Sequence, residues 1–268
     1  MKKIVILLSL LFTIFFVYAD NPFVVVMYDS SSERSIEKFP PNRTQFVYAI
    51  NALKKMNAKA VVLKFFFDLP KNTNDDQKLA NSLKELPVFI QARIDNTEKN
   101  PNAFNNKYFI KMDSEYQNSI SGNSGWIPLP NISSNAYDLG FVDIRKPEFI
   151  PIIEKYQGKY VKSLWYCILK YVLPELKIEK GYLINNDKKV KINEYGEIEV
   201  HYPIKNELNY IPFQDLINSK IDKNTVENKI VIIGYDGESI DKIKVSTGEL
   251  KAHRVFIYSL YDMYDQLK

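Results

Sequence analysis

The stretch "NKIVIIGYDGESID", Asn228 to Asp241, runs from an apolar strand through Gly234 into an acidic loop, the layout of many phosphate-binding turns. Its glycines, Gly234 and Gly237, make only G-x-x-G. The G-x-G-x-x-G of dinucleotide folds and the Lys-Ser or Lys-Thr of a P-loop are both missing. Asp236, Glu238 and Asp241 would repel a phosphate, so the strand is expected to close a fold, with Gly234 permitting a tight exit. Other chemistry is equally sparse. The two histidines, His201 and His253, form no H-E-x-x-H and no Cys/His cluster, so no metal site is expected. The single cysteine, Cys167, lies among apolar helix positions and reads as a buried small hydrophobe. No G-x-S-x-G elbow offers a hydrolase nucleophile. Asp75 and Asp76 read as charges at a helix start rather than an acid/base pair. No cofactor motif is present, and a binding module rather than an enzyme is expected.

Three residues look better placed to hold a ligand. Asp29 ends the first apolar strand, and Asp241 follows the "IIG" strand by a few residues. In open α/β sheets the carboxyl ends of strands face the ligand crevice. Arg43 opens a helix, where the dipole disfavours a cation, so it should face a carboxylate or an anionic ligand. Two readings stand together: a structural Asp29–Arg43 ion pair, or a polar pocket floor built from Asp29, Arg43 and Asp241. Lys64, inside an apolar strand, is either an edge-strand charge or a buried cation paired with an aspartate.

The elements that would carry these residues follow from hydrophobic periodicity. "FVVVMYD", "AVVLKFFF" and "PVFIQARI" are continuous apolar runs of strand length. Between them, Phe46, Ala49, Ile50 and Leu53 form one helical face after Asn42, which reads as its N-cap, and Leu79, Leu83 and Leu86 form another. This β-α-β-α-β order predicts an α/β fold, a layered sandwich with a mixed, largely parallel sheet flanked by helices. Residues 95–138 read as a long Asn- and Ser-rich excursion. "GKYVKSLWYCILKYVLP" predicts a helix, "KVKINEYGEIEVHYP" an antiparallel hairpin turning at Gly196, and "FQDLINSKI" and "VFIYSLYDMYDQLK" two closing helices. The tyrosines of "YDMYDQ" look exposed and suited to a partner surface.

Composition narrows the setting. The chain has 268 residues, 46% apolar and 25% charged, which fits one sizeable domain. One cysteine excludes an internal disulfide. The net charge of +4 is dispersed, whereas nucleic-acid binding wants a clustered basic face. "MKKIVILLSLLFTIFFVYAD" has two lysines, an apolar run from Ile4 to Val17 and a small residue before Asp20, the parts of a secretory signal peptide. That run is shorter than the roughly 20 residues of a spanning helix. Residues 1–19 therefore read as a cleaved leader and 20–268 as one exported domain, periplasmic or secreted, with no later segment apolar enough to cross a membrane.

The motif order resembles the type-2 CHASE domain over nearly the whole mature chain. It begins with "VVVMYDSSSE", "FPPNRTQFVYAINALKKMNAKAVVLKFFF", "DDQKLANSL" and "PVFI". It continues through "DLGFVDI", "KSLWYCILKYV", "INEYGEIEVHY", "IPFQDLI", "NKIVIIGYDGESID" and "TGELKAH". That family comprises extracytoplasmic sensory domains usually joined to adenylate cyclases, histidine kinases or serine/threonine kinases. By the resemblance, Asp29 matches the acid closing the first strand, Arg43 the arginine after the proline-rich turn, and Asp241 the aspartate after the IG strand. Lys64 departs from it, standing where the family commonly has an aspartate, and Ala252-His253 reverses a His-Ala pair. The resemblance implies a sensory, ligand-binding module for a small molecule or envelope protein. With no output module in this sequence, a separate membrane receptor is the expected partner. An interaction scaffold and an exported enzyme of unrecognised type are the alternatives.

Overall fold

The computed structural model describes residues 21–98 and 102–268. The leader expected over residues 1–19 lies outside the described residues. Among the described residues, no helix is long and apolar enough to cross a membrane.

Four parallel strands form the centre of the principal sheet. β1 (Phe23–Tyr28) is followed by α1 (Ser30–Ser35) and α2 (Arg43–Lys55), then β2 (Ala60–Leu63), α3 (Thr73–Ser82) and β3 (Val88–Asp95). The strand Ile230–Tyr235, from the quoted motif, returns late in the chain and inserts between β1 and β2, parallel to both. Ile211–Pro212 flanks β1, and β3 pairs with Asp138–Phe141 in parallel and with Ser124–Trp126 in antiparallel. The sheet is therefore mixed and largely parallel, as the element order predicts.

Alternation of side chains explains why these strands read as continuous apolar runs. Successive residues of a strand point to opposite faces. Val25, Met27, Val62, Phe89 and Ile232 fall in one core cluster; Val26, Tyr28, Leu63, Ile90 and Ile233 fall in another. The first cluster is closed by the helices Leu164–Val172 and Ala252–Leu267, the second by α2, α3 and Phe213–Ile217. Both faces are buried, so neither alternates with polar residues. The two helices over the first face are tied by Trp165, whose indole Nε1 donates to Ser259 Oγ at 2.8 Å. Cys167 is buried there, and burial pushes its thiol well up.

Two expectations shift, and the long excursion is seen to carry short strands. The antiparallel hairpin exists, but its arms are Tyr182–Asn185 and Lys188–Lys191, turning at Asn186 with φ 51°. Glu197–Glu199 pairs instead with the distant Phe149–Pro151. The excursion over 95–138 gives two edge strands, Ser121–Gly122 and Ser124–Trp126, besides the one at Phe109–Ile110. Finally, the tyrosines of the last helix are not exposed: Tyr261 and Tyr264 are half-buried and pack on Phe23, with ring centroids at 5.8 and 5.5 Å.

Candidate functional site

Parallel pairing brings the carboxyl ends of β1, β2, β3 and Ile230–Tyr235 to one edge. The register there decides which side chains meet. Met27 pairs with Gly234, and the last rung between β2 and β3 is Leu63–Ile90. One residue further on, Lys64 and Gln91 take up the face that Val62 and Phe89 occupy, pointing toward the last helix. Lys64 Nζ donates to Gln91 Oε1 at 2.6 Å and stands 5.1 Å from the centroid of the Phe256 ring. Both residues are buried. Lys64 is thus a buried cation beside a neutral amide, and no carboxylate lies within ion-pair distance of it among the described residues. Burial depresses its pKa to about 7, opposed by the Asp143 carboxylate.

Gly234 serves this edge in a way its strand position requires. It is the penultimate residue of the strand, not an exit turn. A Cβ there would stand 3.2 Å from both His253 Nδ1 and Met27 Sδ, so glycine lets the His253 ring lie against the strand. The Tyr235 backbone N–H donates to His253 Nδ1 at 2.7 Å. Burial and the neighbouring Lys64 push the His253 pKa well down, so the ring is neutral and its proton sits on Nε2.

Arg43 approaches from the other helical layer. It is buried, and its Nε donates to Asp76 Oδ1 at 2.9 Å while Nη2 donates to the Leu69 carbonyl at 2.8 Å. Asp76 Oδ2 also accepts from the Lys71 N–H at 3.0 Å. Arg43 and Asp76 together pin the segment from Leu69 to Lys71. The guanidinium lies 4.8 Å from the Phe67 ring centroid. The expected Asp29–Arg43 pair is corrected here: Arg43 does face a carboxylate, but from α3. Asn42 occupies the N-cap position of α2 without accepting a cap hydrogen bond.

These groups line one cavity of about 430 Å³ at the sheet edge, between the two helical layers. Lys64, Gln91 and His253 reach it from one side of the sheet and Arg43 from the other; Phe39, Phe65, Phe67 and Tyr235 give it aromatic walls. Phe39 stacks on Tyr235 at 3.9 Å between centroids. Asp241 is exposed and also borders the cavity. Of the three residues singled out, Arg43 and Asp241 are therefore brought together, and Asp29 is not among the lining residues.

Asp29 caps α1 instead. Its Oδ1 accepts from the Ser32 N–H at 2.9 Å and from the Ser31 and Ser32 hydroxyls at 2.7 and 3.0 Å. Burial works to raise its pKa, but these hydrogen bonds outweigh it and the net shift is downward. Removing an N-cap costs about 1 kcal/mol. Asp29→Ala is expected to lower the unfolding free energy by that amount, read as a lower urea midpoint with an unchanged m value, while leaving any ligand-induced stabilisation intact.

Lys64, Asp76, Gln91 and His253 carry more of the site than the motifs suggest. One usable signal was present: Lys64 and Gln91 each interrupt an apolar run, Lys64 just past the end of β2 and Gln91 at the middle of β3. The acidic exit of the quoted motif is structural, since Asp236 takes two hydrogen bonds from Arg254 at 2.9 and 2.7 Å. Among the described residues no group of three or more His, Cys, Asp or Glu side chains is arranged to hold a metal.

Comparison with known families gives one match: the model described as CHASE2 domain covers residues 6–257. The chain belongs to the CHASE2 domain family. No curated protein and no solved structure matches it. Membership points to an extracytoplasmic sensory module. In this CHASE2 domain the cavity at the sheet edge is where the polar and aromatic groups converge.

Proposed function

We propose that the chain is an exported sensory domain that binds a small molecule in the sheet-edge cavity. The observation that carries the reading is the convergence of Lys64, Gln91 and His253 on an aromatic-walled cavity at the carboxyl ends of parallel strands. Concave apolar sites with a few fixed polar groups are the usual form of a small-molecule site. Binding is favoured over catalysis because Cys167 lies buried against the Leu139 carbonyl, away from the cavity residues, and Lys64 is engaged by an amide rather than by a base. The scaffold alternative loses its best surface, since the tyrosines of the last helix pack on Phe23.

A thermal-shift screen of the mature chain against small metabolites tests this. A ligand that binds only the folded state raises Tm, and the rise grows with the logarithm of its concentration above Kd. Phe39 is 39% exposed and stacks at the cavity wall, so Phe39→Ala should fold normally and lose most of the shift. A stabilising compound that acts equally on this variant would place binding elsewhere.

A further inference from the structure

We propose, building on the binding role just given, that the ligand is a small monocarboxylate with a flat apolar body, its carboxylate held by Lys64 Nζ and His253 Nε2. The cavity's charges lead to this class. Arg43 is committed to Asp76 and to the Leu69 carbonyl, so its charge is largely spent. Lys64 is not: its hydrogen-bond partner is the neutral Gln91 amide, and the Phe256 ring supplies the other contact. A buried ammonium without a counter-ion gains most from an anion that arrives dry. Lysine has three donors and Gln91 takes one, leaving N–H groups for a ligand oxygen.

His253 adds a second donor of fixed identity. Its Nδ1 is occupied by the Tyr235 N–H, so the neutral ring offers Nε2–H. At the buried end this pair, one cation and one neutral donor, matches a single negative charge spread over two oxygens; the half-buried Asp68 and the exposed Lys71 and Asp241 are the other charged groups of the lining. A phosphate dianion would be under-compensated by that pair, and the lining carboxylates Asp68 and Asp241 repel a dianion about twice as strongly as a monoanion. The body of the ligand is set by Phe39, Phe65, Phe67 and Tyr235, whose rings favour a flat apolar partner. A volume of about 430 Å³ suits a compound of one or two rings.

The test uses three isosteric probes, benzoate, benzamide and benzylamine, each at about 10 mM on the mature chain, with Tm and calorimetry as readouts. Benzoate is expected to raise Tm by about 3 °C and benzamide and benzylamine to do so by less than about 1 °C. Lys64→Met should weaken benzoate binding at least roughly tenfold, and Lys64→Gln should do the same if methionine disturbs packing. A benzamide or benzylamine shift exceeding that of benzoate overturns the carboxylate assignment while leaving the cavity reading standing, provided Phe39→Ala abolishes it. Undiminished benzoate binding in both Lys64 variants, or no benzoate shift at all, overturns the assignment outright. Failure of the cavity reading is separate: it shows as shifts that Phe39→Ala leaves unchanged.

Discussion

Replacing Asp76 by alanine is expected to lower the unfolding free energy by about 3–5 kcal/mol, the usual cost of removing one partner of a buried ion pair. The reason is local and complete. Arg43 and Asp76 are 5% and 4% exposed, so the guanidinium left behind has no water to replace the lost carboxylate. The Lys71 N–H loses its acceptor as well, adding an unmade hydrogen bond. Because Arg43 also donates to the Leu69 carbonyl, its displacement should loosen the Leu69–Lys71 wall and weaken ligand binding. Urea unfolding at neutral pH measures the first effect. The double variant Arg43→Met, Asp76→Leu should cost less than Asp76→Ala alone, since an apolar pair of similar volume often replaces a buried ion pair without penalty. A loss below about 1 kcal/mol for Asp76→Ala would show that Arg43 is not held by this carboxylate.

Lys64→Met is expected to stabilise the empty protein, and to do so in a pH-dependent way. The folded-state pKa of about 7 lies below the ordinary lysine value of 10.5. Between those two values the unfolded chain binds the proton and the folded chain does not, so stability rises with pH across that window. Below pH 7 both states are protonated and the full cost of burying the ammonium is present. That cost is roughly 5 kcal/mol by linkage. The groups facing Lys64 are Gln91, His253, Phe256 and, at longer range, Asp143. Methionine removes the charge but leaves Gln91 Oε1 without its donor, which gives back about 1 kcal/mol. A net gain of roughly 3–4 kcal/mol is expected at pH 6, shrinking toward zero or slightly below near pH 10. Denaturant unfolding at pH 6, 8 and 10 follows it; a gain that stays constant with pH would contradict a buried, depressed Lys64. The same residue would thus lower stability and bind ligand, a common arrangement where a site is kept ready for its partner.

The central sheet was legible in the sequence because burial on both faces leaves unbroken apolar runs such as "FVVVMY" and "IVIIGY", which have few alternative readings. The hairpin was displaced because "KVKINEYGEIEV" alternates on both sides of Gly196. Alternation fixes which face is buried, but not which strand is the neighbour, and Glu197–Glu199 finds its partner at Phe149–Pro151. Arg43 could be recognised from its unfavourable place at a helix start. Its partner could not, because Asp76 reaches it only once α2 and α3 pack together. Asp29 looked like a strand-end ligand group, yet the serines that follow it offer a capping interaction within three residues. The role of Lys64 depended on the β2–β3 register, which sets Gln91 beside it and has no trace in local sequence. His253 needed Gly234 across the sheet edge, a relation between residues nineteen positions apart in the chain.

A crystal structure of residues 20–268 grown with the most stabilising compound bears most directly on the cavity as the sensory site. The expected result is density for the compound between Lys64, His253 and the Phe39–Tyr235 stack, with a ligand oxygen within hydrogen-bond distance of Lys64 Nζ. Density for the compound at another surface, with this cavity holding only water, would contradict it.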